Sequence, residues 1–153
     1  MKKAIKEVLL KLKAANHQAF IVGGYPRDFY LGRESLDIDI CTSARPKEVK
    51  EIFYNLDTSK AKYGVMSFYY KDIFFEIATF RKDLKYRDYR KPVKIEYIDD
   101  IKEDLMRRDF TINTLCMDEN GQIIDHLGII KDLDDKVIRT VSDPNLSVQE
   151  DTL

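Results

Sequence analysis

Two aspartates separated by a single isoleucine, Asp37 and Asp39, are the side chains of this sequence best suited to chemistry. They sit in Leu36-Asp37-Ile38-Asp39-Ile40, where apolar and acidic residues alternate strictly, as on a strand with one face on a core. Leu36, Ile38 and Ile40 then point inward. The two carboxylates stand about 7 Å apart on the other face, at roughly 3.3 Å rise per residue. Such a pair repels itself unless a counter-charge is present. Two divalent ions roughly 3.5–4 Å apart supply one, and also clamp an in-line phosphoryl displacement. A solvated strand face is the alternative that the spacing alone leaves open.

A second group of residues lies just upstream. The apolar run Phe20-Ile21-Val22 leads directly into Gly23-Gly24-Tyr25-Pro26-Arg27-Asp28. Two glycines free the backbone to turn with its amides exposed, and Pro26 suits the first turn of a helix. Strand, Gly-Gly and helix start form a cradle favourable to an anion, although an ordinary strand-to-helix turn has the same residues. Placed before Asp37 and Asp39, the cradle would hold a triphosphate beside the metals. Glu76 is the lone acid among Phe74, Phe75, Ile77 and Ala78. There a carboxylate is costly unless paired, metal-bound or on a partly exposed edge. In Arg107-Arg108-Asp109-Phe110-Thr111-Ile112-Asn113, a helix would put Asp109 and Asn113 on one face beside Arg108. An acid and an amide can read ribose hydroxyls and an arginine can hold phosphate, whereas a surface ion-pair cluster needs no ligand.

These residues need elements to position them. A chain of 153 residues suggests one domain with a sizeable core. The 26 basic and 27 acidic side chains nearly cancel, so any grip on RNA must come from local basic patches. Cys41 and Cys116 lie in apolar segments without zinc-ligand spacing, which predicts buried, reduced thiols in a cytoplasmic protein. No segment reads as a signal peptide or membrane span.

The apolar periodicity predicts helices over 3–15, 26–31 (closed by Gly32), 47–56, from Asp99-Asp100 to Met106, and up to Asp135. It predicts strands over 18–22, around the aspartates, 65–70 paired with 74–80, 115–117 paired with 122–124, and 136–141. Residues 81–94, with seven basic side chains, read as a surface loop or an element closing over an anionic substrate. Residues 147–153 could begin a further helix. The expected fold is α/β (α+β): a mixed, mainly antiparallel sheet of about five strands, helices packed on one face and the acids on the exposed side.

With these stretches in place, the chain resembles the class II tRNA nucleotidyltransferases (CCA-adding enzymes) and bacterial poly(A) polymerases of the DNA polymerase β-like superfamily. The resemblance covers nearly the whole sequence. It implies that Asp37 and Asp39 bind two Mg²⁺ ions, that Gly23 and Gly24 cradle the triphosphate with Arg27 and Asp28 nearby, and that Glu76 is a third catalytic acid. Arg108, Asp109 and Asn113 fall in a motif associated with ribose recognition. Asp125, Gly128, Asp132 and Leu133 resemble one that couples domain movement to nucleotide choice. Asp88-Tyr89-Arg90-Lys91-Pro92 looks like the family's flexible loop.

Two departures stand out. Tyr25-Pro26 replaces the usual small residue and valine, and Glu150-Asp151 resembles the opening of a base-selecting motif whose arginine is missing from this sequence. The implied organisation is a catalytic head over 1–141 and the truncated start of a neck over 142–153. The implied reaction is addition of CMP and AMP, from CTP and ATP, to the 3′ end of tRNA. Addition of A alone, poly(A) synthesis, or a non-catalytic nucleotide- or RNA-binding module are the alternatives.

Overall fold

The computed structural model describes residues 1–33, 37–86, 92–141 and 147–149. In chain order the elements are α1 (Lys3–Ala14), β1 (Ala19–Val22), α2 (Gly24–Tyr30), β2 (Asp37–Thr42), α3 (Pro46–Ile52), β3 (Val65–Tyr70) and β4 (Ile73–Thr79). There follow β5 (Arg81–Tyr86), β6 (Pro92–Tyr97), α4 (Ile101–Met106), β7 (Cys116–Met117), β8 (Ile123–Ile124), α5 (Ile130–Asp134), β9 (Val137–Arg139) and β10 (Ser147–Gln149). The central sheet has six strands in the order β3-β4-β2-β1-β7-β8, antiparallel throughout except for the parallel pair β2–β4.

Strict alternation sorts the sheet into two faces. Ile21, Ile38, Ile40, Met66, Phe68, Phe75 and Ile77 point to one side, where α1 covers them with Ile5, Val8, Leu9 and Leu12 and α3 adds Val49. Phe53, Phe68 and Phe75 stack in series through this core, with centroids 5.0 and 5.4 Å apart. The other side carries Val22, Cys41 and Cys116, which α4 covers with Ile101 and Leu105. Helices therefore occupy both faces, and the stretch of the second face beyond α4 holds the acids. Both cysteines are free and buried, and burial pushes the Cys41 thiol well above its ordinary pKa. None of the described helices is long and apolar enough to cross a membrane.

Several elements end or begin where tertiary contacts overrule local periodicity. The helix expected over 47–56 stops at Ile52, because Phe53 turns to extended geometry to stack on Phe68 and Asp57 then bridges to Ser67 at the edge of β3. The 65–70/74–80 hairpin forms around Lys71 and Asp72, both at positive φ, the conformation a two-residue turn needs to match strand twist. Within the basic stretch expected as a surface loop or a closing element, β5 and β6 pair antiparallel, while residues 87–91 lie outside the described residues. The helix expected after Ser147 begins instead as β10, hydrogen-bonded to β9, because the backbone of 147–149 finds an antiparallel partner in 137–139.

Phe75→Ala should destabilise the fold by about 3–5 kcal/mol, since it removes a fully buried ring from the stack. Tyr54→Ala, at a ring 83% exposed, should change stability by less than about 0.5 kcal/mol. Urea unfolding of both variants measures the contrast.

Candidate active site

The site is built where the ends of three neighbouring strands meet. Antiparallel pairing sets Val22 of β1 opposite Asp39 of β2, so the glycine that follows Val22 arrives beside the Asp39 carboxylate. Gly23 has φ +81, a conformation that L side chains rarely adopt, and a Cβ there would lie 3.2 Å from Asp39 Oδ2. The bare backbone is what allows the elbow to back onto the acid. α2 then starts at Gly24, where a Cβ would crowd Arg27 Nη2 at 3.3 Å. Tyr25 and Pro26, the departures from the usual pattern, turn inward: Pro26 is buried and Tyr25 packs against the main core and stacks on Phe29.

On the opposite side of β2, the parallel register pairs Asp39 with Glu76 and Asp37 with Phe74. Paired residues on adjacent strands share a face about 4.8 Å apart, so Asp37, Asp39 and Glu76 form one acidic patch. Glu76 lies on an interior strand, between β3 and β2, and the edge position that would have made it unremarkable is excluded. Ile38 and Ile40 face the core and Asp37 and Asp39 face outward, as their alternation predicts; Leu36 lies outside the described residues.

Like charges this close disturb titration. The Asp39 pKa is raised by the burial of its surroundings first, then by the Glu76 carboxylate, with Asp37 acting in the same sense and Arg108 opposing. Arg108 therefore supplies positive charge facing the patch. It is anchored from behind by Asp104, whose Oδ2 is 3.6 Å from Arg108 Nη2 and whose Oδ1 is 3.4 Å from Arg107 Nη2. Asp104 is only 1% exposed and also accepts the Arg81 amide at 2.8 Å. Sequence reasoning passed over this aspartate, although its i, i+4 spacing to Arg108 was the available signal.

Arg27 ties α2 to the far segment: its Nε donates to Asp28 Oδ1 at 3.1 Å and its Nη1 to Asn113 Oδ1 at 3.0 Å. The helix expected to align Asp109 with Asn113 does not form. α4 ends at Met106, Phe110 adopts extended geometry and bridges to Thr140, and Thr111–Asn113 is a single 3₁₀ turn held by Thr111 Oγ1 donating to Asp132 Oδ2 at 2.8 Å. Asn113 thus joins the Arg27 group, while Asp109 is exposed and enters neither cluster. His126 packs edge-on against Phe20.

The donor set near Asp39 is all oxygen, which suits hard divalent cations such as Mg²⁺. Among the described residues no three His, Cys, Asp or Glu side chains are gathered tightly enough to enclose an ion alone. A cation there would complete its shell with water or phosphate oxygens, the usual habit of Mg²⁺ at nucleotide sites.

Residues 19–139 match the family described as the Poly A polymerase head domain. The chain belongs to that family. It is 42% identical over 146 residues to the CCA-adding enzyme of Bacillus pumilus and 43% identical over 146 residues to that of Lactobacillus helveticus, covering 95% of this chain in each case. It spans 36% and 37% of the length of those relatives. Its fold superposes on the Bacillus stearothermophilus CCA-adding enzyme in complex with CTP with a TM-score of 0.81 and 35% identity, over 93% of this chain and 34% of that one. A tRNA nucleotidyltransferase complexed with a primer tRNA and an incoming ATP analog aligns at TM-score 0.62 and 29% identity, over 90% of this chain and 38% of that one.

Because the Asp39 pKa in the fold lies above its unfolded value, protonated Asp39 favours the native state at low pH, and that contribution is lost as pH rises through the raised pKa. Glu76→Gln should bring the Asp39 pKa down toward the ordinary carboxylate range, and Arg108→Gln should raise it further. Titration of the aspartate side-chain carboxyl signals by NMR reads both directions; an unmoved Asp39 in both variants would detach it from these neighbours.

Proposed function

We propose that this chain is the catalytic head of a metal-dependent RNA nucleotidyltransferase that adds CMP and AMP, from CTP and ATP, to the 3′ end of tRNA. In this reading residues 1–141 form the head and residues 142–153 open the neck. The observation that carries it is the position of Asp39, which has Gly23 so close on one side that a Cβ there would stand 3.2 Å from its Oδ2, and Glu76 in register on the other. In-line substitution at phosphorus needs the leaving group and the nucleophile on opposite sides of the reacting atom. A triphosphate seated on the glycine elbow and a hydroxyl arriving over Glu76 satisfy that requirement.

The reaction follows from these placements. The 3′-hydroxyl of the RNA attacks the α-phosphate of the nucleotide, the new P–O bond forms, and pyrophosphate departs. Asp37 and Asp39 would hold two Mg²⁺ ions, which supply a more acidic hydroxyl and charge neutralisation at the triphosphate. Gly23 and Gly24 present bare backbone to the phosphates, and Arg27, fixed by Asp28 and Asn113, borders the same elbow. Arg108 faces the acids with positive charge that can take up a phosphate oxygen, and Asn113, held against Arg27, supplies an amide that can pair with a ribose hydroxyl, whereas Asp109 stands apart from it. Glu76 stands nearest the attacking side. Such a protein works where tRNA and nucleoside triphosphates meet, in the cytoplasm.

The same chemistry serves A addition alone or poly(A) synthesis. The segments that would bear on base choice, residues 87–91 and 150–153, lie outside the described residues. Product length and nucleotide identity distinguish these outcomes, and nucleotide binding without extension would mark a non-catalytic module.

Asp39→Ala should reduce Mg²⁺-dependent incorporation of labelled CMP or AMP into a tRNA primer by at least about 10²–10³-fold, with unchanged circular dichroism. Full activity in a folded Asp39→Ala variant would refute the assignment.

A further inference from the structure

A charge cluster lies behind the acids, where the start of β5 meets α4. Asp83 of β5 and Asp104 of α4 face the guanidinium groups of Arg81, Arg107 and Arg108 there. Three cations against two carboxylates leave one positive charge in excess. Arg108 is the member whose charge acts on Asp39.

Asp104 and Arg108 are held very differently. The Asp104 carboxylate is buried, and its Oδ1 accepts the Arg81 backbone amide at 2.8 Å. Arg108 is held by charge alone. Its Nη2 stands 3.6 Å from Asp104 Oδ2, too far for a hydrogen bond, and among the described residues its Nε has no hydrogen-bond partner. Its side chain is 20% exposed. A long side chain tethered at one weak point is free to turn to a stronger partner within reach. Asp37, Asp39 and Glu76 offer three carboxylates on the surface it faces, yet among the described residues Arg108 forms an ion pair with none of them.

That alternative pairing conflicts with metal binding. A guanidinium fork matches a carboxylate in bidentate fashion, whereas Mg²⁺ gives up its water reluctantly. Seated on Asp37 and Asp39, Arg108 would take the oxygens a divalent ion needs. An internal cation this close is a competitor for the metal, and the restraint on it has to come from behind.

We propose that Asp104 is a positioning residue whose carboxylate keeps Arg108 off the divalent site, so that the oxygens of Asp37 and Asp39 stay open to the metal. The inference rests on the reading of those two acids as metal ligands. It gives the buried acid of α4 a task separate from stability.

Mn²⁺ binding to the full chain without nucleotide or RNA, followed by loss of the free-ion electron paramagnetic resonance signal, tests the proposal without turnover. Asp104→Asn keeps an acceptor for the Arg81 amide but releases Arg108, and should weaken Mn²⁺ binding about tenfold. Asp104→Asn combined with Arg108→Gln should restore the wild-type affinity. Asp104→Asn combined with Arg107→Gln removes the same charge from the same cluster and should not. Arg108→Gln alone should change the affinity by less than about threefold, because the arginine is already held back. Unchanged affinity in a folded Asp104→Asn variant overturns the proposal, and so does equal rescue by the two combinations, which would mean a general effect of charge. Tightening by about tenfold in Arg108→Gln alone also overturns it, a result that stands even if Asp104→Asn fails to fold. Asp39→Ala separates this inference from the reading beneath it. Wild-type Mn²⁺ affinity in that variant would remove the metal assignment itself, whereas lost binding there with unaltered binding in Asp104→Asn would remove only the role of Asp104.

Discussion

The parallel pairing of β2 with β4 is the constraint on which the rest of the molecule depends. All other neighbours in the central sheet run antiparallel and could be joined by short turns. This one pair requires a crossover, and α3 with the segment that follows it provides the path. The register thereby imposed sets Asp39 against Glu76, an arrangement no folding preference would choose, since adjacent carboxylates repel. The fold tolerates it because the opposite face of those strands buries Ile38, Ile40, Phe75 and Ile77 almost completely. Packing on one face holds in place an electrostatic conflict on the other.

Counter-charge is handled at a distance. Asp104 is buried, accepts a backbone amide from β5 and holds Arg107 and Arg108 within ion-pair range. One acid thus fixes two guanidinium groups, and Arg108 offsets part of the repulsion felt by Asp39. A buried ion pair of this type contributes little net stability, and removal of one member leaves its partner uncompensated. Its value lies in aiming a cation at a surface that would otherwise be uniformly negative. The Arg27–Asn113 hydrogen bond does comparable work for the helix after the elbow, linking it to a segment more than eighty residues further along.

Much of this was legible in residue order. The alternation around Asp37 and Asp39, the helical spacing of Ile5, Val8, Leu9 and Leu12, and the turn residues Asp118 to Gly121 each report a local period or turn chemistry that survives folding. What was not legible depends on partners remote in sequence. Phe53 leaves its helix to join an aromatic stack. Phe110 leaves helical geometry because Thr140 offers a strand partner, which separates Asp109 from Asn113. The pairing of Asp39 with Glu76 could be suspected from residue type, but only the crossover reveals that they are neighbours. Asp104 looks like an ordinary surface acid in its helix until the burial of its side chain is known.

Gly23 carries a consequence for how such a sequence can drift. Its left-handed torsion and its closeness to Asp39 are separate obstacles to a side chain: one is intrinsic to the backbone, the other steric and electrostatic. A compensating change at position 39 would relieve the crowding but leave the torsional strain, and a shift of the loop would relieve the torsion but withdraw the backbone from the acid. No single second change restores both, so the glycine and the aspartate are expected to persist or disappear as a unit.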